Sequence, residues 1–265
     1  MELNTFERVL RQENYAENTI VAYMYAIRDY YTRFSHLNKE NLLIYKSLLI
    51  ESNKPGTVNL RIQALNKYLR SIGKNKLQLK AVKVQEGSFL ENVITTDEYT
   101  FLKDRLREEP NREWYFAIRF MAATGARVSE LVRLRVEHVQ AGYFDICSKG
   151  GKVRRLYIPD QLRLETLHWL DRDSGYLFLN RNGERITTRG IAERLSFYAE
   201  KYGMDVSKVH PHSFRHLYAK RFLDNCQDIA LLADLLGHSN ISTTRRYLRK
   251  NSTEQRSLIN RIVDW

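Results

Sequence analysis

The sequence predicts a mainly α-helical protein in two parts: an all-helical first domain, and a second, mostly helical domain with a small antiparallel sheet. Three observations support this. Large apolar residues recur at three- and four-residue steps along much of the chain, the period of a helix face. That pattern decays between Leu77 and Asn92 into Lys80, Lys83, Glu86, Gly87 and Ser88. One region, Tyr143 to Ile158, reads instead as paired strands. The chain has 265 residues, enough for two domains of roughly 100–200 residues each.

In chain order, Ile20, Tyr23, Ile27, Tyr30 and Phe34 share a helix face, with Thr19 as the expected cap. Asn38 is positioned to cap a second helix bearing Leu42, Tyr45 and Leu49. After Lys54-Pro55-Gly56, Thr57 is the expected cap of a third, with Val58, Ile62, Leu65 and Leu69 inward and Gly73 at its end. These elements make a helical domain over 1–80, followed by a linker over 81–92 and a second domain over 93–265. Helical spacing resumes at Thr96-Asp97-Glu98 with Tyr99, Leu102 and Leu106. Trp114 to Ala123 is apolar and breaks at Thr124-Gly125. In the strand region, two β-rich runs flank Gly150-Gly151, a hairpin signal, and Pro159 closes it. The remainder reads as helical, apart from a short apolar stretch, Tyr176 to Leu179.

Lys and Arg number 43 against 31 Asp and Glu, a formal net charge of +12 with a pI near 9.6. An excess of that size attracts polyanions, nucleic acid first, although a solvated basic surface or acidic lipid would also fit. The N-terminus lacks a secretory pattern, and no apolar run is long enough to span a bilayer; Phe116 to Ala123 is interrupted by Arg119. The two cysteines, Cys147 and Cys226, have neither metal-ligand spacing nor a disulfide framework, which points to a reducing cytoplasm.

Four segments carry residues suited to chemistry. Arg127 follows the Thr124-Gly125 turn at a helix start, where a guanidinium can grip two phosphate oxygens, and Glu130 can hold it from the same face. Lys149 stands at the hairpin tip, where an ammonium can reach into a groove and protonate a leaving oxygen. His212 and Arg215 share a helix face; His212 and His216 have the spacing of helical metal ligands, but no H-E-x-x-H order or cysteine cluster accompanies them. Gly237-His238 ends one helix, Ser239 or Ser242 opens another, and Tyr247 falls late in it. Each has a bland reading, as a surface charge or a packing aromatic, and this chain has 16 tyrosines.

Taken in order, these segments resemble the tyrosine recombinase (phage integrase) family, and its Xer-like members most closely. The resemblance covers nearly the whole chain; Leu235-Leu236-Gly237-His238 with Thr243-Thr244-x-x-Tyr247 is its most specific part. It implies that residues 1–80 are a SAM-like, core-binding DNA-binding domain and 93–265 a catalytic domain with a C-terminal exchange tail. Arg127, Lys149, His212, Arg215, His238 and Tyr247 match the family's six active-site positions, with Lys152 as the competitor to Lys149.

The resemblance further implies site-specific recombination through a 3′-phosphotyrosine at Tyr247, with a free 5′-hydroxyl as the other product. Arg127 and Arg215 would clamp the phosphate, Lys149 protonate the 5′ oxygen, His212 exchange the Tyr247 proton, and His238 donate to a phosphate oxygen. Neither metal nor ATP is required, since arginines supply the charge and the ester retains the bond energy. The expected partners are double-stranded DNA with paired half-sites, the protein itself as a tetramer on two sites, and an accessory directionality protein, with no membrane involved. The apolar tail positions Leu258, Ile259, Ile262 and Val263 would dock on a neighbouring protomer. A type IB topoisomerase-like swivelase and a non-catalytic DNA-binding regulator on the same fold are the alternatives. The DNA target and the outcome (integration, excision, inversion or resolution) are not written in these residues.

Overall fold

The computed structural model describes residues 3–84, 92–147, 153–238, 240–245, 247, 256, 259–260 and 263. The chain forms two compact units, Met1–Glu86 and Gly87–Trp265. The first is built from α1 (Leu3–Gln12), α2 (Glu17–Arg33), α3 (Lys39–Ser52) and α4 (Pro55–Ser71), followed by a 3-10 turn at Asn75–Leu77. The faces expected from spacing are the buried ones: Ile20, Tyr23, Ile27 and Tyr30 on α2, Leu42, Tyr45 and Leu49 on α3, and Val58, Ile62, Leu65 and Leu69 on α4. Helix α1, which contributes Phe6 and Leu10 to the same core, is an addition to the expected set.

The caps differ in part. Asn38 caps α3 as expected, accepting from the Asn41 amide at 2.8 Å. Helix α2 begins earlier than Thr19, with Ala16 at its N-cap and no side-chain cap. Thr57 likewise lies inside α4, because Pro55 takes the first helical position, where its missing N–H costs nothing. Past α4, the chain runs back along it to Val82: Asn66 pairs with the Leu79 backbone, and Asn59 with that of Val82, each at 2.8–3.0 Å.

In the second unit come α5 (Thr96–Glu108), α6 (Glu113–Thr124), α7 (Val128–Leu131) and α8 (Val136–Ala141). Strands β1 (Tyr143–Cys147) and β2 (Val153–Tyr157) follow, then α9 (Asp160–Trp169), α10 (Thr188–Lys201), α11 (Pro211–Asn225), α12 (Ile229–Leu236) and α13 (Ile241–Arg245). Thr95 and Glu98 form a reciprocal capping box at the start of α5. Helix α6 is apolar nearly all round and runs through the core against α11 and α5. Arg119, its one basic residue, is paired with Glu165 and bonded to the Tyr115 hydroxyl.

The strands pair antiparallel, from Tyr143 opposite Tyr157 to Cys147 opposite Val153. This is the expected hairpin; its turn, with Lys149 and Lys152, lies outside the described residues. On β2 the inward positions are Arg154 and Leu156, so a charge occupies a core-facing site. The stretch from Tyr176 to Leu179 forms only isolated bridges, to Arg135 and Arg185. Of the four apolar tail positions, Ile259 and Val263 are described and both are exposed.

Helices α6 and α12 both end on a glycine in the left-handed region, Gly125 at φ 63° and Gly237 at φ 62°. At Gly125 a Cβ would sit 2.5 Å from the Tyr218 ring and 2.9 Å from Leu236. Gly73 has a similar φ of 75°, with open space around it. Gly125→Ala should therefore cost roughly 2–5 kcal/mol, from the left-handed backbone together with overpacking. Gly73→Ala should cost only about 1–2 kcal/mol. Urea denaturation of both variants checks this; equal losses would contradict the packing argument.

Candidate active site

The Gly237 turn organises the site. The Gly237 amide donates to the Asp234 carbonyl and the His238 amide to the Ala233 carbonyl, both at 2.9 Å. The next three carbonyls are thereby left for side chains, and each accepts from a different arginine. Leu235 accepts from Arg154, Leu236 from Arg215 at 2.6 Å, and Gly237 from Arg127 at 3.3 Å.

Arg215, on α11, is 2 % exposed. It also donates to the Gly125 carbonyl at 2.6 Å and contacts His238 Nε2 at 3.0 Å. Among the described residues it has no carboxylate partner. Burial first, then the neighbouring Arg127, pushes its pKa below the ordinary arginine value, while interaction with the Tyr247 side chain opposes that. Arginine's ordinary value is so high that the group remains a cation.

Arg127 is the N-cap of α7 and is considerably more open, its side chain 41 % exposed. Its backbone amide donates to Glu130 Oε2 at 2.7 Å and its guanidinium to Glu130 Oε1 at 3.0 Å. The expectation that Glu130 holds Arg127 describes this geometry. Glu130 is itself buried and also accepts from Arg154.

His238 is engaged at both nitrogens. Because Arg215 can only donate, Nε2 accepts, which assigns the proton to Nδ1 facing Thr244 Oγ1 at 2.8 Å. Burial, followed by Arg215, Arg127 and Arg154, pushes its pKa down to about 4. The imidazole is therefore neutral at pH 7.

Tyr247 is buried beside Ala219, Leu223, Leu232 and Leu236. It lies two residues past α13 rather than late inside it, and α13 opens after Asn240, so Ser242 is an interior residue rather than the cap. Ser239, the other expected cap, lies outside the described residues. The ring runs nearly parallel to His238 at 5.9 Å and edge-on to His216 at 4.5 Å. His212 is exposed and touches His216, ring to ring, at 4.7 Å.

Arg127, Arg215, His238 and Tyr247 thus converge, and His212 joins them through His216. Lys149 cannot be placed with them, since it lies outside the described residues. No group of three His, Cys, Asp or Glu able to hold a metal occurs among the described residues. Sequence reasoning missed Arg154 and gave His216 only a metal reading. Strand alternation could have found the first, because Arg154 and Leu156 face the same way. Chemically, the cluster offers a buried uncompensated cation, an accessible guanidinium and a phenol, a set suited to transferring an oxyanion.

Residues 92–254 match the model of the phage integrase family. The tyrosine recombinase XerA of Pyrococcus furiosus is 29% identical over 98% of this chain and 96% of that protein. Tyrosine recombinase XerC of Salmonella typhi is 38% identical over 48% of this chain and 45% of that protein. In fold, the chain is similar to the XerH site-specific recombinase bound to a palindromic difH substrate in a post-cleavage complex. That match has a TM-score of 0.73 at 17% identity, over 98% of this chain and 84% of the other. The chain belongs to the phage integrase family and is a tyrosine recombinase, a site-specific enzyme that cleaves and rejoins DNA. Among the described residues no helix is long and apolar enough to cross a membrane.

The lowered His238 pKa has a consequence for stability. In the unfolded chain a histidine titrates near 6.5, so the unfolded state binds more protons between that pH and about 4. The neutral ring therefore favours the fold fully above pH ~6.5, and this contribution is lost as the pH falls toward about 4. Melting curves from pH 7 to 4 should decline less steeply for His238→Gln than for the unaltered protein. Parallel declines would contradict the assigned environment.

Proposed function

We propose that Tyr247 is the nucleophile of strand transfer and that Arg127 and Arg215 bind the scissile phosphate. The observation that carries this reading is Arg215: buried, without a carboxylate among the described residues, and interacting with Tyr247. A cation in that setting is stabilised by an arriving anion. The Tyr247 oxygen attacks phosphorus, the bond to the 5′ oxygen breaks, and Lys149 supplies the proton to that leaving oxygen. The phenolic proton passes to His212, with His216 packed against both rings. His238 holds Arg215 in the free enzyme and donates to a phosphate oxygen once the phosphate has taken up the Arg215 N–H. Thr244 suits both states, because a hydroxyl can accept from or donate to Nδ1. The arginines carry the charge, so this chemistry calls for no metal, and the phosphotyrosine ester retains the energy for religation without ATP.

The same reading makes residues 1–80 the core-binding domain and 93–265 the catalytic domain. It takes the substrate to be duplex DNA with paired half-sites, and the working assembly to be a tetramer on two sites. Exchange of the C-terminal tail between protomers and an accessory directionality protein belong to it as well, in the cytoplasm. A +12 chain should bind through phosphate contacts, with affinity falling steeply in salt.

Tyr247→Phe should fold and bind DNA but give no covalent adduct with a nicked cognate site on a denaturing gel. An adduct that persisted would exclude Tyr247.

Lys149→Ala should cleave ordinary DNA slowly and recover on a substrate with a 5′-bridging sulfur, whose leaving group barely needs protonation. Recovery confined to Lys152→Ala would transfer the role across the turn.

A further inference from the structure

We infer that Arg154 is a positioning residue for strand transfer, which keeps Arg127 free to bind phosphate. The inference rests on the proposed phosphate role of Arg127.

Arg154 occupies an inward position of β2 that alternation would assign to an apolar side chain. It is 9 % exposed, and its Nε is buried without a hydrogen-bond partner. Burying a guanidinium with one donor unmet is costly, and such a group persists where its other contacts are required. Those contacts are specific. One terminal nitrogen donates to the Leu235 carbonyl, and the other pairs with Glu130. Its Cδ lies so close to Gly237 that a Cβ there would overlap it. A single side chain therefore joins three segments: the hairpin strand, the end of α12 and the start of α7.

Charge sharing gives the contact its consequence. Glu130 is the carboxylate paired with both Arg127 and Arg154, so one negative charge is divided between two cations. With Arg154 in place, Glu130 Oε2 is shared between Arg154 and the Arg127 backbone amide, and the Arg127 guanidinium is held by Oε1 at 3.0 Å. Without Arg154, Oε2 keeps only that amide and can also accept from the Arg127 guanidinium, toward the bidentate pairing that arginine favours. A neutralised Arg127 would bind phosphate weakly.

The test is a double-mutant cycle on single-turnover cleavage of a nicked half-site, recording both the rate constant and the amplitude. Arg154→Met should lower the rate constant roughly 10–100-fold, the scale on which a misplaced group affects catalysis. Amplitude and half-site binding should stay within about twofold, since a positioning defect slows each folded molecule without removing it. In an Arg127→Ala background, Arg154→Met should cost little more, because the group it serves is gone. Losses that multiply in the double variant, or a loss of amplitude alone, would overturn the inference. An Arg127→Ala variant that cleaves normally would instead overturn the Arg127 reading on which it rests. If Arg154→Met does not fold, Arg154→Lys carries the same cycle. Lysine keeps the charge but cannot reach Glu130 and the Leu235 carbonyl with a planar fork, so the same non-additive loss is expected.

Discussion

Three consecutive carbonyls, those of Leu235, Leu236 and Gly237, each accept from one arginine, and the rest of the site is arranged around that row. The row exists because Gly237 adopts a left-handed conformation that lets its own amide and that of His238 close the last turn of α12. Carbonyls at a helix C-terminus carry partial negative charge, so they suit cations. Arg215 exploits this twice, accepting support from the end of α12 and from Gly125 at the end of α6. Two helix ends thus do what a carboxylate does for an ordinary buried arginine. They differ from a carboxylate in one respect: they leave the net charge in place.

That difference governs the electrostatics. Glu130 is shared by Arg127 and Arg154, and Arg215 has no acidic partner among the described residues, so positive potential accumulates around His238. The ring responds by remaining neutral, and a neutral ring can accept from Arg215 while Thr244 fixes its other nitrogen. Protonation would set a further cation against the three arginines and would break the Arg215 contact. The same potential favours a phosphate diester at the surface formed by Arg127. Desolvation of Arg215 is the cost of this design, and it is offset by hydrogen bonds rather than by neutralisation.

How legible this was depends on the range of each interaction. Helix faces are local, and the spacing of Ile20 to Tyr30, or Val58 to Leu69, reads directly as burial. Gly125 and Gly237 were legible as helix ends because a left-handed cap has a strong residue preference. Thr19 and Thr57 misled, since a capping residue inside a first turn looks the same in sequence as one at its start; Pro55 decides the matter for α4. Helix α1 offers only Phe6 and Leu10 as buried anchors, too few to register as a period. The candidate site was proposed through family resemblance, not through physics, because the bonds that gather Arg127 and Arg215 span sequence separations of 90 and 110 residues. Arg154 was readable only as an exception: it alternates with Leu156 on the inward face of β2, where strand reading expects an apolar residue.

These long separations bear on how the site forms. Arg215 meets its partners only when α6, α11 and α12 have packed, so the buried guanidinium is assembled by the domain core rather than by any one segment. On the proposed reading, a phosphate bound beside it would offset the desolvation of the guanidinium in the folded state, with no counterpart in the unfolded one, and by linkage would stabilise this corner of the molecule. Tyr247 belongs to that corner, packed on Leu232 and Leu236 of α12, so on the same reading the stabilisation would extend to the phenol. The turn at Gly237 is where the two meet.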